Sequence, residues 1–288
     1  MPAATSNIVT VSLQGVNALE ALQSTGAVLS GAMSAFLPPT GTAVEALEST
    51  GGVVSAAFTG VDPFFGDVAL LLTMDGTEGS TSFPDSSSFD NVMTAVNDDV
   101  GSPIPSVDTS DPMFGTGAAL FVPGSQEGRI STPITPGGPL DLNYTTDLTI
   151  EGWFMLTGNA GGLMSDSALG VGSKWTIAVN DSLLLGGEFI TTESAVGSSS
   201  LTNFTRDTWN HFALVASGGS VTMYLNGVGG LPSGTGAPPV PTTGTLNIGR
   251  LLDSVGSFVG QLDEIRITNG VARYTADFTP PDAPFPTS

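Results

Sequence analysis

GQLDEIRITNGVARYTADFTPPDAPFP, residues Gly260–Pro286, is the stretch whose reading decides the fold. Its first part, Gln261–Thr268, reads as a strand: Asp263, Ile265 and Ile267 on one side, Leu262, Glu264, Arg266 and Thr268 on the other. Asn269-Gly270 supplies a turn, and Pro280-Pro281 forbids any further regular hydrogen-bonded element. A strand, a tight turn, an aromatic-bearing coil (Tyr274, Phe278) and a proline-rich exit predict a strap closing over a β-sandwich.

Upstream, the pattern is short strands between Gly/Pro turns. Asp67–Met74 is a continuous apolar run, suited to a strand buried on both faces. Residues 75–116 read as long loops with short strands, and Gly117–Val122 and Gly128–Thr132 as the next two strands. Asp147–Thr157 places Leu148, Ile150, Phe154 and Leu156 in one row with Gly152, against Thr149, Glu151, Trp153 and Met155. A glycine inside a strand marks a bulge or a close approach. Lys174–Asn180 pairs with Leu183–Phe189, and Trp209–Ala216 with Val221–Asn226, as hairpins. Leu246–Arg250 and Phe258–Thr268 complete an antiparallel sandwich with no long helix after residue 66.

The DEIRI strand followed by NGVARYTADFTPP and APF resembles the end of the laminin-G-like (concanavalin A-like) jelly-roll domain, in particular the version in structural proteins of tailed bacteriophages. TWNHFALV…VTMYLNG and TIEGWFML are similar to that family's middle segments, so the resemblance covers roughly Asp67 to Pro286. It implies an all-β jelly-roll sandwich over 67–288. It does not fix function, because the fold hosts lectins, glycosidases and inert packing modules.

Residues 1–66 differ in kind, with no Lys, Arg, Trp, Tyr or His. Ala18–Met33, ALEALQSTGAVLSGAM, aligns with Ala43–Phe58, AVEALESTGGVVSAAF, at an offset of 25 residues with ten of sixteen positions identical. Such a unit cannot bury its apolar face alone and must stack on its twin or a partner. Val9, Val11 and Leu13 alternate as in a strand, whereas Ala18–Gln23 has helix formers ended by Gly26. A strand-rich docking arm is expected, with a flexible linker as the alternative. These Val/Gly/Ala/Ser/Thr repeats resemble the N-termini of phage virion proteins, ahead of a laminin-G-like domain.

Acidic residues number 27 against 6 basic, a net charge of −21. That balance repels nucleic-acid phosphates and anionic membranes, so neither is expected as a partner. With no cysteine and one histidine, disulfides, thiolate sites and multi-His zinc sites are excluded. MPAATSNIVTVSLQG has neither a basic n-region nor a long apolar run, so no secretory signal is expected there.

Enzymes of this fold that cleave β-glucans carry Glu-x-Asp-x-x-Glu on one strand, which sets nucleophile and general acid on one side. That motif is absent, and no Gly-x-Ser-x-Gly elbow serves His211 as a base. His211, beside Trp209 on an apolar face, reads as a structural histidine with Asp263 as its candidate partner. Glu264 and Arg266 read as a surface ion pair.

Family relatives that hold calcium make the loop carboxylates Asp75, Asp90, Asp98 and Asp99 a candidate calcium set, with Asp85, Asp108 and Asp111 nearby. No EF-hand spacing orders them, and Asp in loops is also ordinary turn chemistry. For glycan stacking the candidates are Trp153, Trp175 and Tyr224, with Tyr144, against the common fate of such rings in a core.

The resemblance implies a virion structural protein, a capsid decoration or tail-fibre or appendage subunit assembled in the host cytoplasm. Residues 1–66 would dock it on other virion proteins and form a homo-oligomer, a trimer being one option. The alternative is a glycan-binding adhesion module contacting the host surface.

Overall fold

The computed structural model describes residues 61–97, 103–123, 128–168, 172–190, 195–234, 243–251 and 258–288. The chain divides into two units, Met1–Pro63 and Phe64–Ser288. The repeat arm expected over 1–66 lies, up to residue 60, outside the described residues. Phe65 packs with Val68, Leu71 and Phe285 of the sandwich.

After a 3-10 turn at Phe65–Asp67, the strands are β1 (Val68–Leu72), β2 (Thr94–Val96), β3 (Ser106–Asp108), β4 (Ala118–Phe121) and β5 (Arg129–Ile134). Next come β6 (Leu148–Leu156), β7 (Gly162–Ala168), β8 (Gly172–Val179), β9 (Leu185–Ile190) and β10 (Ala195–Ser199). The last are β11 (Asn210–Ser217), β12 (Ser220–Leu225), β13 (Val228–Gly229), β14 (Gly244–Ile248) and β15 (Gly260–Asn269).

One sheet has eight strands in the order β13-β12-β11-β6-β15-β4-β3, with β1 also paired to β15; the other has seven, β10-β9-β8-β7-β14-β5-β2. The strand pairs within both are antiparallel. This is the jelly-roll sandwich read from the sequence. Between the sheets lies one core, in which Phe154, Phe212, Leu262, Ile265 and Ile267 of the first sheet meet Trp175, Phe189, Leu246 and Ile248 of the second.

Every residue of β6 is buried, on both faces. Its row of Leu148, Ile150, Phe154 and Leu156 joins the core as expected. The other row is covered by the segment after β15, which crosses the outside of the eight-stranded sheet. Tyr274 and Phe278 pack there on Ala213, Val215 and Tyr224, and Phe285 on Val68 and Leu71. The strap exists where the sequence placed it.

Within β15 the simple alternation fails. Asp263 pairs with Trp153 and Arg266 with Glu151, so two residues on β15, Glu264 and Ile265, oppose one on β6, Gly152, and Glu264 takes a left-handed φ of 49°. This is a bulge. It returns Leu262 to the same side as Ile265 and Ile267, and turns Asp263 outward, to the face that Arg266 already shares. Gly152 is the counterpart on β6: a Cβ there would lie 2.6 Å from Ile265 Cδ1 and 3.1 Å from the Glu264 carbonyl.

Candidate functional site

The outer face of the eight-stranded sheet is organised around Glu151, a fully buried carboxylate in the middle of β6. Arg266, its cross-strand partner on β15, donates from Nε at 3.0 Å and from Nη2 at 2.7 Å, both to Oε1. The Tyr274 hydroxyl, on the strap, donates to Oε2 at 2.8 Å. His211 Nε2 lies 3.5 Å from the same oxygen, and Arg273 Nε 3.8 Å from Oε1. Burial alone would raise this carboxyl; the Arg266 guanidinium, with His211 and Arg273, outweighs it and holds Glu151 down to about 2.

The aromatic strap roofs this cluster. Tyr274 stacks on Phe278 with ring centroids 3.6 Å apart and planes 5° from parallel. His211 meets the edge geometry of Phe278 at 5.6 Å and of Trp153 at 5.0 Å. Arg273 ties the strap's start to the sheet, its backbone N–H and Nε donating to the Thr149 and Thr268 hydroxyls. Burial, and then the Glu151 charge beside it, raise the Tyr274 phenol. A carboxylate hydrogen-bonded on both oxygens and closed from solvent is a counter-ion and a latch between sheet and strap.

His211 therefore has a carboxylate partner, but Glu151 in place of Asp263. The bulge aims Asp263 elsewhere: its Oδ2 accepts the Met113 and Phe114 backbone N–H groups at 2.9 and 3.1 Å. Trp153 stands in register between the two, opposite His211 on one side and Asp263 on the other. Trp209, just before β11, donates its indole N–H to the Asp111 carbonyl at 3.2 Å. Nor do Glu264 and Arg266 form a surface pair: both are buried, Glu264 accepts the Phe285 N–H at 2.8 Å, and Arg266 lies 3.8 Å from the Phe285 ring centroid. Burial raises Asp263 to about 8, with the Glu264 charge adding to it, and Glu264 to about 7, with the Asp75 charge adding to it.

The three rings considered for sugar stacking are closed off. Trp175 is in the inter-sheet core, Tyr224 lies beneath Phe278 at 5.4 Å, and Trp153 is 7% exposed under Phe114. Tyr144 is in the core as well. Of the carboxylates considered for calcium, Asp75 accepts the backbone N–H and hydroxyl of Thr116. Asp85 accepts from Leu71, Ser87 and Asn91, and pins a turn to β1. Asp90 has a left-handed φ of 48° on an exposed turn, and Asp98 and Asp99 lie outside the described residues. Among the described residues no three His, Cys, Asp or Glu side chains gather where they could hold a metal ion.

The outer face of the seven-stranded sheet is of a different kind. Its ladders align Thr94 with Ser131, Ser131 with Asn247, Asn247 with Ser165, Ser165 with Thr176, Thr176 with Glu188, and Glu188 with Gly197. One transverse row thus crosses all seven strands, β2 to β10, and carries hydrogen-bonding side chains at six positions and a glycine at the seventh. At about 4.8 Å per strand it runs for roughly 29 Å. Asn247 and Ser165 at its middle are buried, Ser165 donating to the Arg250 carbonyl, while Ser131, Thr176 and Glu188 on the flanks are half-buried. Sequence reading missed this row, because β7 and β10, rich in Gly and Ser, carry no hydrophobic alternation to announce them.

A laminin-G-like family model, described as the concanavalin A-like lectin/glucanases superfamily, matches residues 124–273. The chain belongs to this superfamily.

Solved structures of several binding domains share the architecture at low identity. Domain 4 of AbnA, a GH43 extracellular arabinanase from Geobacillus stearothermophilus solved with arabinotriose, is 15% identical, with a TM-score of 0.50 over 72% of this chain and 94% of that one. The binding domain of Paraclostridial Mosquitocidal Protein 1 is 13% identical, with a TM-score of 0.52 over 75% of this chain and 50% of that one. The binding domain of botulinum neurotoxin DC, solved with rat synaptotagmin II, is 12% identical, at 0.52 over 71% and 48%. The chain spans about half the length of these two toxin binding domains, and identities this low speak to the fold alone. No curated protein sequence matches the chain.

Proposed function

We infer that this chain is a non-catalytic recognition module, which binds a polyhydroxylated chain across the outer face of its seven-stranded sheet. The observation that carries this is the seven-strand row from Thr94 to Gly197. The hydroxyls of Thr94, Ser131 and Thr176 and the carboxylate of Glu188, exposed or half-buried on either side of the buried Asn247 and Ser165, match a ligand rich in donors and acceptors. The row carries no aromatic ring, so recognition rests on hydrogen bonds, each of modest net value. The non-catalytic reading is supported by Glu151, whose two oxygens are hydrogen-bonded under the strap, away from this row. The neighbours' bound ligands, arabinotriose for one and synaptotagmin for another, support recognition as the class. The test is glycan-array binding by the full chain against a Ser131→Ala, Thr176→Val, Glu188→Gln triple variant, with loss of the bound set as the expected result. Unchanged binding by the variant would remove the row from the reading.

A second observation bears on where such a module works. The 25-residue repeat in residues 1–66, nearly free of charge, suits stacking on other chains. Together with the resemblance to phage structural proteins, it favours a virion subunit that docks through this arm as a homo-oligomer and displays the sandwich. Retention on purified particles that disappears when 1–66 is deleted is the corresponding test.

A further inference from the structure

The chain contains one lysine, Lys174, and its ammonium is buried between two aspartates. Nζ lies 2.5 Å from Asp141 Oδ1 and 3.1 Å from Asp166 Oδ2, and Asp166 is fully closed from solvent. The placement comes from the ladders. Asp166 stands in register opposite Trp175 on β8 and Leu246 on β14, two buried apolar residues, so it points into the sandwich. The register then slips, with Ser167 opposite Ser173, and leaves Lys174 without a ladder partner on β7. Asp141, in the loop before β6, is held from its other oxygen by the Gly137 N–H at 2.8 Å.

One ammonium between two carboxylates leaves an excess negative charge in an apolar place, an arrangement whose desolvation cost is high. A condensation would remove one charge of each sign. We propose that Lys174 and Asp141 join in an intramolecular isopeptide bond, with Asp166 as the proton carrier. Nζ gives a proton to the Asp166 carboxylate and attacks Cγ of Asp141. The Nζ–Cγ bond forms and one Cγ–O bond breaks. The departing oxygen leaves as water, taking back the proton held by Asp166 and a second one from Nζ. Ammonium and carboxylate become amide and water, with no oxidant and no activating group required. Burial, with Asp141 adding to it and Lys174 opposing, raises Asp166 to about 6, which suits a group that must both take and return a proton. The bond would tie together positions 33 apart in a chain that has no cysteine to do so.

The experiment is intact-mass measurement of the purified full-length chain, followed by tryptic mapping after denaturation. The expected result is a mass below the calculated one by a single water. Cleavage after Lys174 should be missing, and one internally linked peptide should span residues 130–206. Lys174→Arg, which keeps the ion pairs, and Asp141→Ala should each return to their calculated mass. Asp166→Asn should leave Lys174 and Asp141 unjoined. A wild-type chain at its full calculated mass, cut by trypsin after Lys174 and open to amine reagents there, would overturn the bond. Linkage in Asp166→Asn as complete as in wild type would overturn the role given to Asp166.

Discussion

Arg266 and Glu151 face each other across β15 and β6, with both guanidinium contacts on one carboxylate oxygen, sealed from water by Tyr274. Removing one partner of a buried pair strands the other charge, at about 3–5 kcal/mol. Glu151→Ala is therefore expected to lower chemical-denaturation stability by that amount, and Arg266→Met to cost as much. A loss below about 1 kcal/mol in either would show that water reaches the pair.

The same pair sets an acid limit. Because Glu151 is held at about 2 when folded, against 4.5 ordinarily, its contribution is full above pH 4.5 and lost as pH falls towards 2. Thermal melts from pH 6 to 2 should show this slope in wild type, and Glu151→Gln should remove that part of it.

Asp263 and Glu264 act in the opposite direction. Their folded values are raised, to about 8 and about 7, so the folded state keeps protons that the unfolded state releases. Their contribution therefore falls as pH rises from about 4 to 8. Asp263→Asn preserves an acceptor for the Met113 and Phe114 N–H groups, and should flatten the decline in melting temperature over pH 5–8. A wild-type melting temperature that rises across that range would contradict the assignment.

Gly152→Ala tests the fit between the bulge and the strand beside it. A methyl group there meets Ile265 at 2.6 Å and Phe212 at 3.1 Å, and overpacking of this kind costs about 1–3 kcal/mol. Equilibrium unfolding should show it; a neutral result would mean that the bulge yields freely.

The fold was legible because rows such as Leu148, Ile150, Phe154 and Leu156 keep strict alternation, and because Asn269-Gly270 and Pro280-Pro281 mark where the strap begins and ends. The polar cluster was less so. Glu151 stood on its correct face, and so did Arg266, but alternation gave Arg266 a neighbour on its own strand, Glu264, and hid its cross-strand partner. Asp263 was set with Ile265 and Ile267, and Leu262 against them, because alternation cannot register the bulge. The row on the second sheet was hidden further: its residues come from seven strands, aligned by ladders that no local pattern encodes.

The central claim is recognition without cleavage. The most direct measurement incubates the full-length chain with the oligosaccharides it retains on an array, and follows bound ligand and new reducing ends together. Saturable binding with no new ends is the expected result. New reducing ends that form with wild type and vanish in Glu151→Gln would contradict it.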